Sequence, residues 1–209
     1  MPTYKIFSCC NEEAISECAS IVKNGGVIVF PTDTIYGIGC SPFDDSAVER
    51  IFRIKGRDER KPLPILAYSL EDAKKIVVLG DKGTILAQKF WPGALTIVAS
   101  LIDQSISRKV MGGNNYELLA VRVPADSCIL SLLSRCKYLV GTSANLSGKA
   151  SMKSSQQVIA STLDGFDALL DGGTVERGVE STIVDVTGIE PLVLREGALK
   201  SSEVLKLIA

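Results

Sequence analysis

The sequence contains no histidine. That absence removes the Ser-His-Asp and Cys-His triads, the imidazole general base and every histidine-containing zinc site. Any catalysis is left to lysine, arginine, carboxylates, hydroxyls, backbone amides or a bound metal. No C-x-x-C pair occurs among Cys9, Cys10, Cys18, Cys40, Cys128 and Cys136, which argues against a four-thiolate zinc site. There is no surplus of positive charge either: 23 Lys and Arg against 24 Asp and Glu give a net charge of −1, so bulk charge does not coat nucleic acid. Aromatic residues make up only 6% and are unclustered, so a base-stacking surface is not expected. Long apolar runs are missing; the longest, such as Val27-Ile28-Val29-Phe30, are strand-length and cannot span a membrane. No Walker A loop or dinucleotide fingerprint is present.

What remains is ordinary globular composition. The 209 residues, 46% of them hydrophobic, can bury a full core without a disulfide or metal staple. With no signal peptide, the six cysteines are expected as free thiols in a reducing cytoplasm.

Asn11 is expected to cap a helix that buries Ala14, Ile15, Cys18, Ile21 and Val22. Gly25-Gly26 ends it, Val27–Phe30 reads as a buried strand, and Pro31 stops that strand. A loop over 32–37 and a helix over Asp44–Ile54 follow, then a strand over Leu63–Ala67 and a helix capped by Ser69. Further helices are expected over Lys82–Phe90, Asp126–Cys136 and Ser154–Thr162, and a short one capped by Ser202. Further strands are expected over Ala94–Leu101, Leu118–Val123, Tyr138–Val140, Ala168–Leu170, Thr182–Val186 and Leu192–Leu194. Asp103–Tyr116 reads as irregular, with Gly112-Gly113-Asn114-Asn115 as a turn. Helices and strands mix without a strict βα repeat, so one α/β domain over 1–209 around a mixed sheet is expected.

Four polar regions could carry chemistry. Pro31-Thr32-Asp33-Thr34-Ile35-Tyr36-Gly37 leaves a buried strand, a common place for a site, although a turn bonded by Thr32 and Asp33 explains it as well. Lys55-Gly56-Arg57-Asp58-Glu59-Arg60-Lys61 is either a solvated charge run after a helix or a clamp for phosphates or a carboxylate. Alternation sets Arg122 opposite Leu119, Val121 and Val123, pointing either to solvent or into a concave face. Thr142-Ser143-Ala144-Asn145 and Glu180-Ser181-Thr182 join strands to small hydroxyl residues, which cap turns or hold a nucleotide or amino acid.

In order along the chain, these regions resemble one family. The motifs are Pro31-Thr32-Asp33-Thr34-Ile35-Tyr36-Gly37-Ile38-Gly39, Lys55-Gly56-Arg57 with Lys61-Pro62-Leu63, and Trp91-Pro92-Gly93-Ala94-Leu95-Thr96. Val121-Arg122-Val123-Pro124, Thr142 to Gly148, Ser181-Thr182-Ile183-Val184-Asp185 and Arg195-Glu196-Gly197-Ala198 complete the set. Together they resemble the YrdC/Sua5 family of threonylcarbamoyl-AMP synthases, in the short single-domain form without a C-terminal Sua5 domain.

The resemblance implies an open, twisted mixed sheet with flanking helices and a large, basic, concave cavity. It also implies a nucleotidyltransferase reaction. L-threonine, bicarbonate and ATP give L-threonylcarbamoyladenylate, pyrophosphate and water, with Mg2+ accompanying ATP. The product feeds the N6-threonylcarbamoyl modification of tRNA adenosine 37. The implied partners are a downstream tRNA threonylcarbamoyl-transferase complex and, more loosely, tRNA or other RNA. Thr32, Tyr36, Arg57, Arg122, Thr142 and Ser181 match positions around threonine, with Tyr36 at the junction of the two ligands. Lys55, Ser143, Ala144, Asn145, Ser151 and Arg195 match positions around ATP. Lys55 and Arg57 are the expected catalytic cations, in a segment read as loop-like. Where some members carry Asn-Pro-Leu and a later His, this chain has Lys61-Pro62-Leu63 and Leu66. Two other readings compete: a non-catalytic RNA-binding or ribosome-maturation module, and a carbamoyl-transfer domain like that of the much longer hydrogenase maturation proteins.

Overall fold

The computed structural model describes residues 4–112 and 117–208. In chain order the elements are β1 (Lys5–Ser8), α1 (Glu12–Lys23), β2 (Ile28–Phe30), β3 (Gly37–Gly39), α2 (Asp45–Lys55), β4 (Ile65–Ala67) and α3 (Leu70–Ile76). There follow β5 (Val77–Val78), α4 (Gly80–Phe90), β6 (Leu95–Leu101), β7 (Leu118–Arg122), α5 (Ser127–Cys136), β8 (Tyr138–Val140) and β9 (Thr142–Ser143). The chain ends with α6 (Ser155–Ile159), β10 (Ala168–Asp171), β11 (Thr182–Asp185), β12 (Leu192–Arg195) and α7 (Ser201–Lys206).

Several helix starts follow from side chains that satisfy orphan amides. Asn11 Oδ1 accepts the N–H groups of Glu13 and Ala14 at 2.8 and 3.2 Å. Asp44, Ser69, Asp126 and Ser154 cap α2, α3, α5 and α6 in the same way. Gly56 ends α2 in the left-handed region, at φ 56°, which glycine adopts without the steric cost of a Cβ. The last helix differs from expectation. It begins at Ser201, and the Ser201 amide is taken by the Glu196 carboxylate at 2.8 Å rather than by a Ser202 cap.

The expected single mixed sheet is two sheets. One has the order β1-β10-β2-β3-β9, and the other β12-β11-β6-β7-β4-β8, with β5 beside β6. In the first, β1, β10 and β2 run parallel, while β3 and β9 add antiparallel pairs. Its inner strands β2 and β10 are buried on both faces, which explains their continuous apolar runs, while the edge strand β1 is largely exposed. Ile28 and Phe30 pack with Ile15, Ala19 and Val22 of α1 and with Ile129 and Leu132 of α5. Val29 and Leu169, pointing the other way, join the large central core with Val48 and Ile51 of α2.

The chain crosses between sheets at Gly141, between β8 and β9, where a Cβ would lie 2.6 Å from Leu66 Cγ. Strands β3 and β9 were unforeseen, because two glycines in three residues and a two-residue strand read as loop. The expected irregular stretch holds a short 3-10 turn over Arg108–Met111; Gly113, Asn114 and Asn115 lie outside the described residues.

The cysteine expectation is also corrected. Cys9, just after β1, and Cys128, in the first turn of α5, form a disulfide with a Cα–Cα separation of 5.4 Å. The fold juxtaposes residues 119 positions apart, which spacing alone does not reveal. Cys10, Cys18, Cys40 and Cys136 are free. Burial pushes the Cys18 thiol up to about 12, so it stays protonated and packs as an apolar side chain. Among the described residues, no helix is long and apolar enough to cross a membrane.

Gly39 tests the junction of the sheets. A Cβ there would lie 1.9 Å from the Val140 carbonyl oxygen. Gly39→Ala is expected to lower stability by about 3 kcal/mol or more. Urea denaturation reads this directly, and an unchanged midpoint would show that the close approach is dispensable.

Candidate functional site

A cavity of about 360 Å³ is lined by residues of both sheets and by the loops that leave them. The loop after β2 supplies Thr32, Thr34 and Ile35, and the region after α2 supplies Arg57, Lys61, Pro62 and Pro64. Leu66, Thr96 and Arg122 enter from β4, β6 and β7, and Thr142, Ser143 and Asn145 from β9 and its following turn. Glu180, Ser181 and Arg195 close the far wall. This volume lies within the range of small-molecule sites.

Arg122 is 5% exposed and does not face solvent. Its guanidinium donates to the Gly93 carbonyl at 2.8 Å, to Thr34 Oγ1 at 2.9 Å and to Asp33 Oδ1 at 2.6 Å. Those three bonds occupy three of its five N–H groups and leave two. Burial lowers its pKa, and the paired Asp33 carboxylate opposes that shift. Thr32 sits beneath this network. Its hydroxyl contacts Thr34 Oγ1 at 2.9 Å and donates to the Ile35 carbonyl at 2.6 Å, while accepting the amides of Thr34 and Ile35. Thr32 therefore shapes the loop with its hydroxyl already committed.

Lys55 is not in a loop. It is the last residue of α2 and only 2% exposed. Its ammonium donates to the carbonyls of Ser143 and Asn145, the latter at 2.7 Å. Two of its three donors are used, leaving one for a ligand. Burial, reinforced by the nearby Arg57 charge, pushes its pKa down to about 8, and Glu180 opposes the shift. Arg57 does lie in the loop that follows; its Nη2 donates to the Pro62 carbonyl at 3.0 Å. Burial also lowers the Arg57 pKa, again against the pull of Glu180.

Asn145 donates its amide to the carbonyls of Leu146 and Lys149 at 3.0 and 2.6 Å, and its buried Oδ1 has no partner among the described residues. Ser181 Oγ lies 2.8 Å from Thr96 Oγ1, and Arg195 Nη2 donates to the Ser181 carbonyl at 2.9 Å.

Nine of the twelve residues expected around the two ligands line the cavity. Ser151 reaches it indirectly, by donating to Glu180 at 2.9 Å. Tyr36 and Ala144 stand behind the wall. Tyr36 is fully buried; its hydroxyl accepts the Gly172 amide at 3.0 Å and donates to the Gly173 carbonyl at 2.9 Å. Ala144 is fully buried, and its amide donates to the Tyr36 carbonyl at 2.9 Å. Thr34, Lys149 and the Glu180 carboxylate were missed as site groups. Thr34 and Glu180 lay inside segments already noticed, whereas nothing in the sequence singled out Lys149.

A lysine that titrates near physiological pH makes anion binding pH-dependent. Lys55 is charged below about 8 and neutral above it. Inorganic pyrophosphate is therefore expected to bind more weakly as pH rises through that value, by roughly tenfold between pH 7 and pH 9. Calorimetric titration across that range checks it; a flat profile would remove Lys55 from the set of anion ligands.

Comparison with known proteins agrees with this architecture. The Sua5_yciO_yrdC family model, described as "Telomere recombination", matches residues 20–197. A Pyrococcus abyssi protein named threonylcarbamoyl-AMP synthase is 36% identical over 199 residues, covering 94% of this chain and 58% of the relative. A Mycobacterium tuberculosis relative is 32% identical over 207 residues, covering 97% of this chain and 94% of the relative. The solved structure of P. abyssi Sua5 complexed with L-threonine superposes with a TM-score of 0.92 at 34% identity, covering 98% of this chain and 61% of that one. This chain thus spans less than two thirds of the Pyrococcus relative. With its motifs in order, its two-sheet fold matched and most of its length aligned, the chain belongs to the Sua5/YciO/YrdC family.

Proposed function

We propose that this protein is a threonylcarbamoyl-AMP synthase, joining L-threonine, bicarbonate and ATP into L-threonylcarbamoyladenylate, pyrophosphate and water. One observation carries the reading: Lys55, Arg57, Arg122 and Arg195 come from four separate elements or loops and converge on one cavity beside uncharged hydroxyls. That arrangement suits an amino-acid carboxylate and a polyphosphate bound side by side.

The chemistry asks for placement more than for a protein nucleophile. The threonine amine adds to bicarbonate, water leaves, and a carbamate forms. A carbamate oxygen then attacks the α-phosphorus, and pyrophosphate departs in line. Transfers of this kind depend on positioning and charge neutralisation. Arg122, Arg57, Thr142 and Ser181 form the amino-acid end, supported by Thr32 within the loop after β2. Lys55, Ser143, Asn145 and Arg195 form the nucleotide end, with Ser151 behind Glu180; Tyr36 and Ala144 brace the wall. A half-enclosed site also limits the water that would destroy the carbamate.

Among the described residues, no group of three or more acidic, cysteine or histidine side chains could hold a metal. The one lining carboxylate, Glu180, is already bonded to Ser151 and Arg195. These residues fit a magnesium ion that arrives with ATP and keeps phosphate and water oxygens as ligands, where it would neutralise phosphate charge. The adenylate would then pass to a tRNA threonylcarbamoyl-transferase in the cytoplasm.

Pyrophosphate release from ATP is expected to require both threonine and bicarbonate. ADP and orthophosphate as the main products would refute the reading. ATP-independent RNA binding without threonine-dependent turnover would favour the RNA-binding module instead.

The substrate hydroxyl gives a second test. Thr142 lines the cavity, and its hydroxyl has no partner among the described residues, so it is free to bond threonine. Threonine is expected to be used far better than valine, because valine would leave polar groups of the site unpaired. Thr142→Val should weaken threonine use by roughly 10-fold and narrow the gap to valine. Steady-state kinetics with both amino acids measure this, and an unchanged ratio would remove Thr142 from substrate recognition.

A further inference from the structure

Glu180 is the only carboxylate among the described residues that line the cavity, and it faces lysines and arginines on several walls. A lone negative charge in a chamber suited to polyanions opposes their binding. Its position is nevertheless enforced. The Glu180 carbonyl accepts the Ala198 amide at 2.9 Å, and a Cβ on Gly197 would lie 2.3 Å from that oxygen. The motif Arg195-Glu196-Gly197-Ala198 is thus folded tightly against this one residue.

The side chain is fixed by the groups assigned above to the nucleotide. Its Oε1 accepts the Ser151 hydroxyl at 2.9 Å, and its Oε2 pairs with Arg195 Nη1. The ion pair is 36% and 42% exposed, so it adds little stability. The field of Glu180 reaches Lys55 and Arg57 as well, countering the effect of burial on both.

We propose that Glu180 is an internal counter-anion, holding Ser151 and Arg195 until the phosphates of ATP displace it and weakening the grip of the site on pyrophosphate afterwards. A cavity with several cations and no counter-charge would bind phosphate chains tightly at both ends of the reaction. A carboxylate tethered within it competes for the same donors and returns to them when pyrophosphate leaves. The inference rests on the proposed adenylate-forming reaction.

The test is calorimetric titration of pyrophosphate and ATP into the parent chain and into Glu180→Gln, Glu180→Ala and Glu180→Asp variants, at low and high salt. Glu180→Gln keeps the shape and loses the charge. It is expected to bind pyrophosphate roughly 5- to 20-fold tighter at low salt, with the gain shrinking at high salt, and to show deeper pyrophosphate product inhibition. Glu180→Ala should shift in the same direction, which keeps the test open if the glutamine variant folds poorly. Glu180→Asp, which retains the charge, should bind like the parent. Unchanged or weaker pyrophosphate binding in the neutral variants would overturn the inference and make Glu180 a support for Arg195. Equal tightening in Glu180→Asp would also overturn it, since repacking rather than charge would then be the cause. A parent chain that binds neither ATP nor pyrophosphate would instead refute the adenylate-forming reading itself.

Discussion

The cavity depends on the ion pair between Arg122 and Asp33. Arg122 ends β7 of one sheet, and Asp33 lies in the loop leaving β2 of the other, so their 2.6 Å contact joins the two. The side chains are 6% and 12% exposed. Taking two charges out of water at this depth costs several kcal/mol per ion, offset only when the geometry satisfies the remaining donors and acceptors. Here it does so in part, since Asp33 Oδ2 is buried without a partner among the described residues and two Arg122 N–H groups are left over. Arg122 also bonds Gly93 and Thr34, and Asp33 Oδ1 also accepts the Ala125 amide at 2.9 Å. The pair therefore fixes three chain segments at once and holds Arg122 in the cavity wall.

Lys55 makes a second tie of the same kind. Its ammonium grips the carbonyls of Ser143 and Asn145, and its own carbonyl accepts the Ser147 amide at 2.9 Å. The end of α2 and the turn after β9 are held together by a cation that also faces the cavity. In both ties one side chain is anchor and ligand group together, which removes much of the entropic cost of ordering it when a ligand arrives. A charged group fixed in this way is oriented before an anion arrives and needs little reorganisation to meet it.

The field of the site owes nothing to composition. The chain carries a net charge of −1, yet the lining gathers Lys55, Arg57, Lys61, Arg122, Lys149 and Arg195 around Glu180, its one carboxylate among the described residues. Acidic residues are spent elsewhere, several as helix caps or in surface pairs such as Glu17 with Lys5 and Glu49 with Lys109. Topology separates the charges and leaves a large excess of cations inside. A concave, low-dielectric wall then concentrates the field, an effect that net charge does not register.

Local features were legible in the sequence because they are written in neighbouring residues. Asn11, Asp44, Ser69 and Asp126 each cap amides two or three positions ahead, so helix starts could be read directly. Strands such as Ile65–Ala67 and Tyr138–Val140 followed from their apolar runs. The absence of histidine, and the order of the motifs, restricted the chemistry before any fold was known. What the tertiary structure alone decided were the partners. Arg122 could equally have faced solvent; its ligands Asp33 and Thr34 are 89 and 88 residues away. Lys55 read as part of a solvated charge run until the carbonyls 88 and 90 residues further on were placed against it. Tyr36 lay in a site motif but turned inward to Gly172 and Gly173, and Cys9 found Cys128. Caps and periodicity depend on contacts within one helical turn, whereas buried charges and crossed sheets depend on which distant segments the topology brings together.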